Sequence, residues 1–189
     1  MNRTASSRLT RRILAPLVVT GVVALGATGC SNSSGGSDSS TTSAPDNAQA
    51  ALDAGLEAHA GGDLETAEVK YEKTLALDPT NEFAYYNLAL IDEASSNYGL
   101  AEQKYRKAIA ADPAYEPALF NLAILVTSSD PQEAVSLYRR AVAADKGDAS
   151  AWMNLGLLQR ASGEKAEGNR SIANAMKLNP ELTDPALKS

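Results

Sequence analysis

Residues 82–113 read EFAYYNLALIDEASSNYGLAEQKYRKAIAADP, and this stretch predicts two helices joined by a short turn. Small and apolar residues recur one helical turn apart in each half: Tyr85, Leu88 and Ala89, then Ala101, Tyr105 and Ala108. The pattern breaks at residues 94–98, where serine and asparagine are typical of a turn. Pro113 marks the end of the second helix, because the residue before a proline is disfavoured in the helical conformation.

The same pattern recurs along the chain at a period of about 34 residues. Pro79 lies 34 residues before Pro113, and the residues before it match the quoted stretch. This earlier copy places Gly55, Ala67 and Tyr71 at the positions of Ala89, Ala101 and Tyr105. A third copy, which lacks one residue, contains Leu119, Leu122, Ala123, Ala134, Tyr138 and Ala141. A fourth copy contains Trp152, Leu155, Gly156, Gly168, Ile172, Ala175 and Pro180. A fixed period of this length predicts an array of helical hairpins.

This pattern resembles the tetratricopeptide repeat (TPR) family, whose 34-residue unit reads W-x2-L-G-x2-Y, then A-x3-F, then P. The resemblance implies an all-α fold, a right-handed α-solenoid of about four helix-turn-helix hairpins. We place this domain at residues 46–180, with repeats at about 48–81, 82–115, 116–148 and 149–182. The alternative, an unrelated alanine-rich helical bundle, has little reason to hold a fixed period.

Small residues are expected where the two helices of each hairpin cross. The first helices would place Gly55, Ala89, Ala123 and Gly156 against Ala67, Ala101, Ala134 and Gly168 on the second helices. Large residues such as Tyr71, Tyr105 and Tyr138 would then fill the space between neighbouring hairpins. Because one hairpin cannot bury its apolar faces alone, the stability of the domain is expected to come from stacking.

Two groups of charged residues have local interpretations. Asp130, Pro131 and Glu133 predict a capped helix start in the third repeat, with Glu133 reaching back to the cap. The side chains of the adjacent pair Asp92 and Glu93 diverge on one helix, so we interpret the pair as surface charge.

The composition argues against several classes of function. After Cys30 the chain has 13 basic and 23 acidic residues, and this net charge of −10 disfavours nucleic-acid binding. One cysteine and one histidine cannot form an intrachain disulfide or a zinc cluster. We interpret His59 as a solvated residue near a helix end, with a contact in a binding groove as the alternative. We therefore expect no enzymatic activity, no cofactor and no metal.

The N-terminal segment predicts export and a lipid anchor. Residues 1–12 carry four arginines and residues 13–28 are apolar, which predicts a signal peptide over residues 1–29. The sequence Ala27-Thr28-Gly29-Cys30 resembles the bacterial lipobox, in which the cysteine receives the lipid, although Ala27 replaces the preferred leucine. Residues 30–45 are rich in serine, glycine and threonine and predict a disordered tether. The resemblance implies an exported protein anchored through Cys30 to the extracytoplasmic face of a bacterial membrane; a plain signal peptide is the alternative.

The resemblance to TPR domains also implies where a partner would bind. In that family the first helices line a concave groove with the residues one and five positions after the Trp-like site. Here those positions hold four apolar pairs: Leu52 and Leu56, Tyr86 and Leu90, Phe120 and Ile124, and Met153 and Leu157. These side chains would either line an open groove or pack on one another. Two residues after the Trp-like site stand Asn87, Asn121 and Asn154, whose amides would bind a peptide backbone or an internal partner.

The C-terminal end leaves the last repeat with little to cover it. Residues 183–189 form a predicted tail, which is too short for the extra helix that many TPR domains carry. The last helix presents a polar outer face made of Asn169, Arg170, Asn174 and Lys177. If that face is buried, a second copy of the chain, forming a homodimer, is the simplest cover.

Together these features predict a membrane-tethered, non-enzymatic adaptor that binds another envelope protein or peptide. The first alternative is a structural subunit of an envelope assembly or secretion complex, similar to the TPR lipoproteins that help to build pili or insert outer-membrane proteins. The second alternative is the regulatory subunit of an enzyme. The sequence does not identify the partner.

Overall fold

A computed structural model describes residues 47–185 of the chain. The predicted signal peptide, the tether with Cys30 and the last four residues of the predicted tail lie outside the described residues. Export, lipid attachment and the disorder of the tether therefore stay predictions.

Residues 47–185 form eight α-helices, which pair in chain order as four hairpins. Each hairpin falls within one predicted repeat, and in the first three hairpins the second helix also contacts the first helix of the next hairpin. The helices are α1 (Ala48–Ala60), α2 (Leu64–Leu77), α3 (Glu82–Ala94), α4 (Tyr98–Ala111), α5 (Glu116–Val126), α6 (Pro131–Ala144), α7 (Ala149–Ala161) and α8 (Lys165–Leu178). The predicted all-α solenoid of helical hairpins is confirmed.

The start of α6 follows the predicted signal in part. The Asp130 carboxylate accepts hydrogen bonds from the backbone N–H groups of Gln132 and Glu133, and Pro131 is the first helical residue. The prediction that Glu133 reaches back to the cap is wrong, because its carboxylate pairs with Arg106 of α4 at 2.6 Å. A guanidinium offers a carboxylate a charge-assisted, bidentate partner, which a single backbone N–H does not.

The helices of each hairpin approach closely where small residues were predicted. A Cβ atom on Gly156 of α7 would lie 2.7 Å from the carbonyl oxygen of Gly168 on α8. In the first hairpin, a Cβ atom on Gly55 would lie 2.6 Å from the ring of Tyr71. Such distances are shorter than carbon contacts allow, so these helices pack this closely only because glycine has no side chain.

The apolar core runs from one repeat into the next. Tyr71 and Tyr105 are fully buried and Tyr138 is nearly so, as expected for residues that fill the space between hairpins. The largest core cluster takes side chains from α3 to α7, and another joins the first repeat to α3. Because each cluster draws on more than one repeat, the stability of each hairpin depends on its neighbours.

The C-terminal tail covers part of the last repeat. Leu182 packs against the apolar cluster of Met153, Ile172 and Ala175. The Asp184 side chain is buried and forms an ion pair with Arg160 of α7. The sequence predicted little cover for the last repeat, and the structure adds that Leu182, four residues beyond the end of α8, supplies part of it.

Candidate functional site

The first position of each predicted groove pair, one residue after the Trp-like site, is mostly buried. Leu52 is 4% exposed and Met153 is 9% exposed, since each belongs to an apolar cluster. Tyr86 and Phe120 are partly buried and pack against the central core. These four side chains therefore contribute at least partly to the apolar core.

The second position of each pair, four residues later, is more open. Leu56 is 43% exposed and Ile124 is 49% exposed, although both are large apolar side chains. Leu90 and Leu157 occupy the same position in their repeats and are partly buried. Apolar surface is thus available at this position in the first and third repeats.

Phe83 adds an exposed aromatic side chain that the sequence analysis missed. It is 45% exposed, and its ring makes an edge contact with Tyr115 at 5.4 Å between centroids. Tyr115 contacts Tyr86 in the same way, also at 5.4 Å. Because Phe83 precedes Tyr86 by three residues and Leu90 by seven, the helical spacing itself was a signal that it shares their face.

We use the name inner surface for three exposed apolar side chains of the first helices and two partly buried aromatic ones on the predicted face: Leu56, Phe83 and Ile124, with Tyr86 and Phe120. Phe120 packs edge-on against Tyr138 at 5.8 Å, so it is held in place from behind. The inner surface can offer apolar contacts to a bound segment.

The predicted asparagines all have internal hydrogen-bond partners. The Asn87 amide donates to the backbone carbonyl of Phe83 at 2.8 Å. The Asn121 amide donates to the phenol oxygens of Tyr86 and Tyr105, both at 3.3 Å. The Asn154 amide reaches the phenol of Tyr138 at 3.4 Å. In this structure the last two amides join neighbouring repeats.

In the first two repeats, a polar or charged side chain near the end of the first helix contacts the large residue of the second helix through a hydrogen bond. His59 Nδ1 lies 3.3 Å from the phenol oxygen of Tyr71, and Glu93 accepts a hydrogen bond from Tyr105 at 2.5 Å. Burial raises the pKa of both phenols, and in Tyr105 the Glu93 carboxylate raises it further. In the last repeat the equivalent residues are Arg160 and Ile172, and Arg160 pairs with Asp184 instead.

These contacts correct two interpretations made from sequence. His59 is partly buried against Tyr71 and is not simply a solvated residue at a helix end. Asp92 and Glu93 are not plain surface charges, because Asp92 is 6% exposed and pairs with Lys104 at 2.6 Å. Sequence spacing separated the two carboxylates correctly, but it did not show that α4 supplies a partner to each.

A separate concavity of about 440 Å³ lies between α6, α7 and α8. Its lining includes Trp152, Lys146 and Lys177, and none of the predicted groove residues. The indole Nε1 donates to the carbonyl of Lys146 at 3.1 Å, which fixes the ring at this edge. We place the candidate site on the inner surface instead, because apolar positions there recur from repeat to repeat.

Residues 47–185 contain neither a cluster of metal-binding side chains nor a helix that could span a membrane. No group of three or more histidine, cysteine, aspartate or glutamate side chains in this region is placed to hold a metal ion. None of its helices combines the length and the apolar character needed to cross a membrane.

Comparisons with solved structures identify proteins of similar fold. The crystal structure of MamA is 22% identical, with a TM-score of 0.62 over 72% of this chain and 81% of MamA. The structure of PilF from Pseudomonas aeruginosa is 25% identical, with a TM-score of 0.60 over 71% of this chain and 62% of PilF. A mutant O-GlcNAc transferase from Thermobaculum terrenum is 26% identical, with a TM-score of 0.52 over 59% of this chain and 22% of that protein.

Sequence comparison assigns the family. A search among curated protein sequences gave no match. The family profile described as tetratricopeptide repeat matches residues 52–116 and 123–168, which together are more than half of the chain. The matched segments cover parts of all four observed hairpins. The chain therefore belongs to the tetratricopeptide repeat family, whose members bind protein partners.

Proposed function

We propose that this protein is a non-enzymatic adaptor, exported and anchored by lipid on Cys30, whose inner surface binds an apolar segment of another envelope protein. The observation that carries the binding role is the exposure of Leu56, Phe83 and Ile124, at 43%, 45% and 49%. Large apolar side chains held open on consecutive first helices suit an extended or helical apolar segment.

The strength of such binding follows from the number of anchors. A buried aromatic or aliphatic anchor contributes about 2 kcal/mol at the centre of an interface. After the entropy cost of association, three or four such anchors correspond to a dissociation constant on the order of micromolar. The proposed complex is therefore transient.

The proposed location rests on the N-terminal sequence. Four arginines, an apolar run and a small-residue ending precede Cys30, which is the single cysteine of the chain. The Ser/Gly/Thr-rich segment that follows has too few apolar residues to fold and would act as a tether. The proposed lack of enzymatic activity rests on the scarcity of histidine and cysteine.

A second candidate function is a structural subunit of an envelope assembly or secretion complex. The observation that favours it is a set of exposed apolar side chains on second helices: Val69 at 58%, Tyr98 at 55% and Leu100 at 50%. A permanent subunit buries more than one face, whereas an adaptor needs one. A large complex that persists during purification in mild detergent would favour this candidate over transient binding.

The binding role is tested by photo-crosslinking in cells from a crosslinker placed at Leu56. We expect one envelope protein to be captured, and we expect Phe83→Ser with Ile124→Ser to remove that product while the chain stays folded. Val69→Ser is the matched control, since it removes an exposed apolar side chain from α2. Equal capture by both variants would overturn the proposed inner-surface site.

The proposed location has its own test. Mass spectrometry of the mature chain should show acyl lipid on Cys30 as the first residue, and Cys30→Ser should release the chain from the membrane fraction. An unmodified thiol on a chain that retains residues 1–29 would contradict the proposal.

A further inference from the structure

We propose that the end of the domain formed by α7 and α8 is a second binding site, specific for a short segment with the pattern leucine, any residue, aspartate. Residues 182–184 of this chain occupy that site as a tethered substitute for a partner segment. The inference rests on the proposed binding role. It adds the chemical class of one partner of this protein, namely an acidic segment with one apolar anchor.

The polar half of the site is a guanidinium held in a fixed orientation. Arg160 Nη1 and Nη2 donate to the two carboxylate oxygens of Asp184, each at 2.7 Å. Arg160 Nε donates to the side-chain oxygen of Asn169 on α8 at 2.6 Å. With Nε engaged, the two terminal nitrogens face the carboxylate side by side, which is the geometry that selects carboxylates.

The position of Arg160 explains why it is available for a ligand. In the preceding repeats the equivalent side chains His59 and Glu93 bond the phenols of Tyr71 and Tyr105. In the last repeat Ile172 replaces the tyrosine and offers no polar group to Arg160. Arg160 therefore has a capacity for hydrogen bonds that this hairpin does not use fully, and the tail supplies the carboxylate.

The apolar half of the site is a small cluster on the same two helices. Leu182 packs against Met153, Ile172 and Ala175, and Trp152 packs against the same cluster. Leu182 occupies the repeat position of Tyr115, which contacts Tyr86 where the second and third repeats meet. The tail thus uses the contact surface that a following repeat would use.

The way the tail is held makes it replaceable. Within residues 181–184, Leu182 is partly buried and Asp184 is buried, while Glu181 and Thr183 are exposed. Three residues link α8 to Leu182, and so short a link presents the segment at an effective concentration on the order of millimolar. A partner segment with the same two groups would therefore compete only when it also gains contacts elsewhere on the chain.

The net charge of the chain does not by itself attract an acidic partner. The chain after Cys30 carries a net charge of −10, so a general attraction for acidic segments is absent. A buried carboxylate on Arg160 must then be selected by local geometry, and the hydrogen bonds of Arg160 provide that selection. An amide in place of the carboxylate would lose the charge of both short hydrogen bonds.

The experiment measures binding of a fluorescently labelled peptide with the sequence of residues 179–185, NPELTDP, to the full chain. Leu182→Ser with Asp184→Asn releases the tail, and we expect this variant to bind the peptide at least tenfold more tightly than the wild type. Adding Arg160→Gln should abolish the gain, as should asparagine in place of the aspartate of the peptide. Arg170→Gln is the matched control, because Arg170 is exposed and pairs with Glu167. The fluorescence of Trp152, the single tryptophan, reports the same event independently.

Three outcomes would overturn the proposal. The first is equal peptide binding by the wild type and the tail-released variant. The second is loss of helical structure in Asp184→Asn alone, which would make the tail an essential part of the fold. The third is a dimer that exchanges tails and binds no peptide, which would assign the site to a second copy of the chain. Capture at the inner surface is measured separately through Phe83 and Ile124, so failure here leaves that result unchanged.

Discussion

The side-chain amide of Asn121 on α5 lies 3.3 Å from the phenol oxygen of Tyr105 on α4, and this hydrogen bond joins the second repeat to the third. Asn154 repeats the arrangement with Tyr138 across the next junction. Asn87 does not, because its amide bonds its own helix and the phenol of Tyr71 faces His59. The hydrogen bonds between repeats therefore differ in number from junction to junction, and the first junction has fewer of this type.

Removal of the Asn121 amide should destabilise the domain. Asn121→Ala leaves the partly or fully buried phenols of Tyr86 and Tyr105 without this donor, and we expect the free energy of unfolding to fall by about 1 to 3 kcal/mol in urea denaturation. Asn87→Ala is the control, with a smaller loss, because Asn87 bonds a carbonyl of its own helix. Equal losses would contradict the role assigned to the Asn121–Tyr105 bond.

A methyl group on Gly156 should force α7 and α8 apart. Gly156→Ala would place a Cβ atom 2.7 Å from the Gly168 carbonyl oxygen and 2.6 Å from Ile172, and backbone atoms cannot move aside cheaply. We expect a loss of about 2 to 4 kcal/mol, measured by thermal or chemical unfolding. Gly99→Ala has no atom within 4 Å of the new Cβ and should be neutral or slightly stabilising.

Glu116 should make stability depend on pH near neutrality. It lies in the first turn of α5, and burial together with the nearby carboxylates of Asp148 and Asp145 raises the pKa of its carboxyl to about 7. Because the folded chain holds this proton more tightly than the unfolded chain, the stabilisation is present below about pH 4.5. It is lost as the pH rises towards 7.

The variant Glu116→Gln tests this dependence. It keeps the size of the side chain and removes the titrating group, so its stability should change less between pH 5 and pH 8. At pH 8 we expect it to be more stable than the wild type by about 1 to 2 kcal/mol, allowing for partial solvent exposure. Identical pH profiles for the two proteins, measured by thermal unfolding, would contradict the assignment.

The inner surface should separate binding from stability. Phe83→Ser removes a side chain that is 45% exposed, so we expect a change of less than about 1 kcal/mol in the free energy of unfolding. Phe120→Ala should cost about 2 to 4 kcal/mol, because Phe120 packs on the ring of Tyr138. If both variants lose stability equally, the inner surface is a part of the core.

Local spacing in the sequence was enough to predict the hairpins. Apolar residues one turn apart, and the proline that follows three of the four second helices, are local signals, which is why the helical hairpins could be predicted. The same reasoning failed for Glu133 and Asp92, since their partners Arg106 and Lys104 lie on other helices. Hydrogen bonds between helices depend on how the helices are packed, so the sequence of a single helix does not predict them.

In the candidate site, too, the sequence predicted which residues share a helix face but not which of them are exposed. The repeat pattern identified Leu52 and Leu56 as neighbours on one helix face, but Leu52 is 4% exposed and Leu56 is 43% exposed. Which of the two a neighbouring repeat covers depends on the residues of that repeat and on the crossing of the helices. Phe83 was missed because the family pattern names other positions, although its spacing from Tyr86 placed it on the same face.

What the sequence by itself determined is the number of repeats, the helix pairs and the small residues at their crossings, because each of these follows from the period of one short segment. Only the tertiary structure decided that Leu182 and Asp184 cover the last repeat and that Arg160 holds them. A leucine and an aspartate in a short tail have no periodicity. Their role appears only when the folded helices present an apolar cluster and a guanidinium at the matching distance.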